Sequence, residues 1–175
     1  MEQAASQVAA QIASRLEALK VLIVDDEHAM RKVTRSLLQA IGIKNIAEAI
    51  DCDSGLDAIR AWAPDIVVLD WQMPGATGGE FMRRLRSPRD FPYPDVPVIM
   101  LTGHGERSRV VEAVKLGVNE FLLKPVSTNA LLARIVAIPT KPRRIVQKGD
   151  YYGPEPRPLS SYKPDADPGE VYMIG

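Results

Sequence analysis

Four short runs, each delivering a reactive or charged residue at its end, constrain this chain more than any other feature. Val21-Leu22-Ile23-Val24 leads into the acid pair Asp25-Asp26, and Ile66-Val67-Val68-Leu69 leads into Asp70. Val98-Ile99-Met100-Leu101 ends at Thr102, and Glu120-Phe121-Leu122-Leu123 is followed by Lys124 and Pro125. Strands that are apolar throughout, rather than at alternate positions, are buried on both faces, which is the habit of a parallel sheet. Helical periodicity fills the intervals. The pattern reads strand 20–25, helix 28–41, strand 45–50, helix 54–62, strand 65–70, helix 78–86, strand 97–102, helix 106–116, strand 119–123 and helix 127–138. Gly42, Pro64 and Gly117 stand where the helices before them should stop. The alternation predicts an α/β fold, a doubly wound five-stranded parallel sheet covered by helices on both faces, because its crossovers are right-handed. All strand carboxyl ends then open on one edge, where the acids, the hydroxyl and the ammonium can meet.

Material outside this alternation divides the chain into three parts. Residues 1–19 form an amphipathic N-terminal helix, with Ala4, Val8, Ile12, Leu16 and Leu19 spaced by three or four and no Gly or Pro. Residues 20–138 are the domain. Residues 139–175 hold half of the chain's 14 prolines and are expected to form a Pro-rich tail without a fold of its own, disordered or loosely packed. The segment from Ser87 to Asp95 is a stiff, proline-bearing insertion before a strand, hence on the edge away from the acids, with Phe91 or Tyr93 packing locally.

Charge and cysteine usage exclude some classes. Lys and Arg number 22 and Asp and Glu number 22, for a net charge of +0, so no overall field favours nucleic acid or an anionic membrane. The basic cluster Lys141, Arg143, Arg144 and Lys148 is short and precedes no helix-turn-helix pattern, so no nucleic-acid partner is expected. A single cysteine, Cys52, rules out an internal disulfide framework. No apolar stretch reaches the length of a membrane span, and Met1-Glu2-Gln3-Ala4 lacks a basic signal-peptide start. The expectation is a cytoplasmic protein with no membrane partner.

Three carboxylates on one edge repel: two unit charges about 4 Å apart cost on the order of 4 kcal/mol at an effective dielectric near 20. They need a cation. An all-oxygen site suits Mg²⁺, with ligands from Asp26, Asp70 and the backbone carbonyl of Gln72, and Asp25 acting through water. Asp70, central and alone on its strand, is the candidate nucleophile for an acyl phosphate. Lys124 would neutralise incoming phosphoryl oxygens and Thr102 would donate its hydroxyl to one of them. Against this stands a plainer reading of each residue taken alone: Asp26 or Glu27 as a helix cap, Thr102 as a cap, Lys124 as a solvated charge.

The residues Asp25-Asp26, Asp70-Trp71-Gln72-Met73-Pro74 with Gly78, Thr102-Gly103 and Lys124-Pro125 together resemble the receiver domains of two-component response regulators, including the stand-alone chemotaxis type. The resemblance covers about residues 20–138. It implies a flavodoxin-like sheet of order 2-1-3-4-5, Mg²⁺ dependence, phosphotransfer from a histidine kinase's phosphohistidine to Asp70, slow self-catalysed hydrolysis, and a cis Lys124-Pro125 peptide. It also implies a switch in which Thr102 moves toward the phosphoryl group while Phe121 turns inward, although a buried Phe on a strand is equally plain core. Gln72 and His104 match positions that tune the lifetime of the phosphorylated state, with His104 equally readable as an exposed loop residue. His28 reads as a surface residue rather than a phosphodonor.

The expected partners are a histidine kinase or phosphotransfer protein and a downstream protein target, without a fused DNA-binding output domain. The last helix is apolar on more than one face, with Arg134 its only charge between Ala130 and Ile138. Its extra surface calls for cover by a second copy, a partner, the N-terminal helix or the tail, and a homodimer through helix 106–116, strand 119–123 and helix 127–138 is the favoured expectation. An aspartyl-phosphate phosphatase acting on small phosphate esters is the alternative function. Its motif wants an acid two residues after the nucleophile, and Gln72 stands there. A third reading makes the chain a structural adaptor with a vestigial pocket.

Overall fold

Five parallel strands, β1 (Lys20–Val24), β2 (Asn45–Ala49), β3 (Ile66–Asp70), β4 (Val98–Thr102) and β5 (Glu120–Leu123), pair in the order β2-β1-β3-β4-β5. The structure, a computed structural model, describes residues 1–103 and 107–158, without the side chain of residue 107. The helices are α1 (Glu2–Ala18), α2 (His28–Ile41), α3 (Cys52–Trp62), α4 (Gly78–Leu85), α5 (Arg107–Lys115) and α6 (Thr128–Thr140). A hairpin of β6 (Ile145–Lys148) and β7 (Tyr151–Pro154) follows. This is the expected doubly wound α/β sheet in the expected order.

Successive strand residues point to opposite faces, so each apolar run feeds two cores. Leu22, Val24, Val67, Leu69, Val98, Met100 and Phe121 pack against α3, α4 and α5. Their neighbours Val21, Ile23, Ile66, Val68, Ile99, Leu101 and Leu122 pack against α2, α6 and Leu16 of α1. That is why these runs show no polar alternation. Helix α3 starts two residues earlier than its periodicity indicated, because Asp51 and Ser54 form a reciprocal capping box that opens the helix at Cys52.

Within the tail, the described residues 145–154 depart from the expectation of disorder. Residues 145–154 form an antiparallel hairpin turned at Gly149, whose φ is +59°. The β-branched Ile145-Val146 and aromatic Tyr151-Tyr152 flanking Gly149-Asp150 carry a two-residue hairpin signal that proline content obscured. The hairpin docks on the domain instead of building a core. The Tyr152 hydroxyl donates to Asp95, and beside it Arg86, 6% exposed, donates from its guanidinium to the carbonyls of Gly117, Pro94 and Val96 and to Asn119 Oδ1 at 2.6–3.0 Å. Gly117, at φ +83°, has no room for a Cβ, which would lie 2.9 Å from the Tyr152 carbonyl oxygen. Arg143 donates to the Asn119 carbonyl at 2.6 Å. Of the inserted aromatics, Phe91 is buried under Arg60, whose guanidinium lies 4.7 Å from the ring centre, while Tyr93 is exposed.

Part of the apolar surplus on α6 is met within the chain: Leu16 shares a core cluster with Leu131 and Ile135, while Ile12, Leu16 and Leu19 line a narrow apolar groove with Ile135 and Val136. Arg134 pairs with the buried Glu120 at 3.5 Å, and Arg157 from the tail reaches the same carboxylate at 3.6 Å. Burial pushes the Glu120 carboxyl up and the Arg134 guanidinium down, each against the pull of the other. Among the described residues no helix is long and apolar enough to cross a membrane.

Burial brings the Arg86 guanidinium down to about 10, which still leaves it charged at neutral pH. Its removal strands three main-chain carbonyls, while Asn119 Oδ1 keeps the Val98 N–H. Arg86→Leu is expected to lower unfolding free energy by about 3 kcal/mol, measured by urea denaturation; a loss under about 1 kcal/mol would show that water serves those carbonyls equally well.

Candidate functional site

Because the strands are parallel, Asp25 and Asp26 just beyond β1, Asp70 at the end of β3, Thr102 at the end of β4 and Lys124 just beyond β5 all reach the same edge. One carboxylate oxygen from each of Asp25, Asp26 and Asp70 lies within 4.8 Å of the others. Asp25 and Asp70 are buried and Asp26 is exposed. Lys124 Nζ sits 2.9 Å from Asp70 Oδ1 and 3.9 Å from Asp25 Oδ2. The Lys124-Pro125 peptide is cis. Asp26, Asp70 and Lys124 open into a cleft of about 560 Å³ that Gln72, Met73, Thr77, Gly103 and Arg109 also line.

The acids are not helix caps. Glu27 occupies the N-cap position of α2 without a side-chain bond, and Asp25 Oδ1 instead accepts from the Glu27 N–H at 2.8 Å. Burial raises the Asp25 carboxyl above its ordinary value; the Glu27 N–H pulls it back, and the neighbouring Asp70 charge raises it further. One ammonium among three carboxylates leaves negative charge uncompensated, and every donor is an oxygen. That donor set fits a hard divalent cation such as Mg²⁺.

Other sequence-selected residues fall around this centre. Thr102 is buried, and its carbonyl accepts from the Lys124 N–H at 2.8 Å, tying the ends of β4 and β5 together. Phe121 is 1% exposed and lies wholly within the core on the α3–α5 side, in register with Met100. Gln72 is exposed on the cleft wall. His104 lies outside the described residues. Gly78 closes tightly under the site: its N–H donates to the Trp71 carbonyl at 2.9 Å, and a Cβ there would sit 3.0 Å from the Asp70 carbonyl oxygen.

Sequence reading missed Arg31. Its guanidinium is buried and donates to the backbone carbonyls of both Asp25 and Asp26, at 2.9 and 3.1 Å. The same group contacts His28 Nδ1 at 3.3 Å and Glu48 at 3.4 Å, and His28 is exposed, as a surface residue should be. A signal was present: Arg31 shares the buried stripe of α2 with Thr34 and Leu38, where a charge needs a reason. Arg35, then burial acting the other way, then Arg31 set Glu48, and the balance holds its carboxyl below the ordinary value of 4.5. The network's contribution is therefore present above that value and is lost as pH falls below it. Thr77 and Arg109 were missed too, because loop and helix positions reach the cleft only through the fold.

Comparison with known proteins agrees with this geometry. The family model described as the response regulator receiver domain matches residues 21–136. The chemotaxis protein CheY of Pseudomonas aeruginosa is 36% identical over 120 residues, covering 69% of this chain and 95% of that protein. The phosphate regulon transcriptional regulatory protein PhoB of Escherichia coli is 35% identical over 121 residues, covering 69% of this chain and 52% of PhoB. A receiver domain of a response regulator from Clostridium thermocellum superposes with a TM-score of 0.62 at 31% identity, covering 70% of this chain and 96% of that one.

Arg31 touches no carboxylate of the site and acts by holding the main chain that carries two of them. Groups behind metal ligands commonly change affinity by about 10–100-fold when removed. Arg31→Gln is expected to raise the Mg²⁺ dissociation constant about tenfold, followed through the fluorescence of Trp71, which is buried beside Asp70. An unchanged titration in a folded variant would assign Arg31 to stability alone.

Proposed function

The chain belongs to the response regulator receiver domain family, and on that premise we propose that it accepts a phosphoryl group onto Asp70 with Mg²⁺. The donor is the phosphohistidine of a histidine kinase or phosphotransfer protein, and the phosphorylated form signals by binding a downstream protein. What carries the reading is the convergence of three carboxylates within 4.8 Å with an ammonium 2.9 Å from the central one. Asp26, Asp70 and the Gln72 carbonyl are the direct metal ligands, with Asp25 acting through water. A bound Mg²⁺ supplies charge neutralisation for the acids and for the phosphoryl oxygens together.

In the transfer, a carboxylate oxygen of Asp70 bonds to phosphorus as the nitrogen–phosphorus bond of the phosphohistidine breaks, and the imidazole leaves. Lys124 stabilises the negative charge on the phosphoryl oxygens, and the Thr102 hydroxyl donates to one of them. Hydrolysis by water later returns the free carboxylate. Arg109, half-buried on the cleft wall, adds positive charge on the side from which an anionic donor approaches.

Thr102 and Phe121 form the switch. Both are buried and lie on adjacent paired strands, so a shift of Thr102 toward the phosphoryl group opens volume that an aromatic ring can fill. Only a difference in contacts between the two states moves such an equilibrium, and the new Thr102 bond provides it. Gln72, on the cleft wall, and His104, each two residues beyond a pocket residue in the sequence, tune the lifetime of the acyl phosphate. A homodimer through α5, β5 and α6 has less support than the sequence lent it, because Leu16 and Leu19 of the N-terminal segment take up part of the apolar surface of α6.

Incubation with acetyl phosphate and Mg²⁺ tests the reading: labelling of one phosphoryl group per chain is expected, abolished in Asp70→Asn. Rapid multiple turnover of assorted phosphate esters would replace it with the phosphatase, and absence of both labelling and Mg²⁺ binding would leave an adaptor. Replacing Gln72 or His104 is expected to change the decay rate of phospho-Asp70 while labelling survives, read by loss of radiolabel over time. Unaltered decay in both variants removes their tuning role.

A further inference from the structure

Helix α1 has one buried residue, Leu16, and all residues from 1 to 15 are exposed. A helix of this length standing alone in water is marginal, since helices take most of their stability from an apolar face packed on something. Such a face is present. Ala5, Val8 and Ile12 continue the stripe that Leu16 anchors, and Val8 and Ile12 are 55% and 42% exposed. At its inner end the stripe runs into a narrow apolar groove between Leu19 and Ile135.

We propose that this face pairs with α1 of a second copy of the chain, antiparallel, about a two-fold axis passing between Val8 and Ala9. Charge selects both the occupant and the direction. From Gln3 to Ser14 the helix has no charged residue, so nothing repels an identical helix. Glu2 and Arg15 form no ion pair among the described residues. The proposed axis lies midway between Glu2 and Arg15, midway between Ala5 and Ile12, and midway between Met1 and Leu16. One operation therefore sets each Glu2 opposite an Arg15, each Ile12 on an Ala5, and each Met1 over the groove beside Leu16.

Large against small at the Ile12–Ala5 positions lets two Ala-rich helices approach closely. Antiparallel packing also sets opposite ends of the two helix dipoles together. A parallel pair would instead align like charges at both ends. A lipid surface is a poorer occupant, because the polar face offers Gln and Ser where membrane binding wants Lys and Arg. The contact is remote from the acidic edge and stands whether or not Asp70 is phosphorylated.

Sedimentation equilibrium on the full chain is expected to show a reversible dimer. Ile12→Glu, which buries an unpaired carboxylate only in the dimer, should raise the dissociation constant about a hundredfold with the melting temperature of the domain unchanged. Glu2→Arg and Arg15→Glu should each weaken pairing about two- to fivefold, and the chain carrying both should recover. A monomer at every concentration, or a dimer indifferent to Ile12→Glu, overturns the proposal. Failure of the double charge exchange to recover overturns the antiparallel register.

Discussion

Repulsion among Asp25, Asp26 and Asp70 is the constraint on which the rest of this molecule turns. Three carboxylates within 4.8 Å are unfavourable anywhere, and two of them are also buried. The parallel sheet imposes the arrangement, because a strand's last residue has nowhere to point but the shared edge. Lys124 reaches across from the far side of the sheet to offset part of the charge, and the remainder makes the edge a place where a divalent cation and phosphoryl oxygens are welcome. Stability spent there is a familiar feature of sites that do chemistry.

The frame around that edge is held by buried arginines that bond main-chain carbonyls. Arg31 grips the carbonyls of Asp25 and Asp26 behind the site, with Glu48 as its acidic neighbour. Arg86 does the same at the opposite edge, joining Gly117, Pro94 and Val96. A planar fork of five donors suits this work, since it satisfies several loop carbonyls that no neighbouring strand can reach. The loops before and after the strands are thereby fixed at both ends of the sheet.

Much of this was legible in the chain itself. Runs without polar alternation told of two-sided burial, and their terminal residues told which groups would converge. Less legible was anything that depended on a residue's neighbour across the fold. Arg31 carries no motif and meets the Asp25 and Asp26 carbonyls only through the fold, Arg109 and Thr77 lay on segments with no motif, and α3 opened earlier than its periodicity because a capping box, rather than apolar spacing, set its start. Residues 145–154 of the tail differ from the expectation for a related reason: proline content spoke for disorder, whereas the Gly149-Asp150 turn closes a hairpin there.

Sequence alone determined the α/β alternation and the identities of the residues carried to the strand ends, because hydrophobic periodicity and residue chemistry are local properties. Tertiary structure decided which of those residues meet, which helper groups stand behind them, and how the two extensions attach. Those are distances between segments far apart in the chain. They follow from packing and pairing of the whole sheet, which no single stretch of residues encodes.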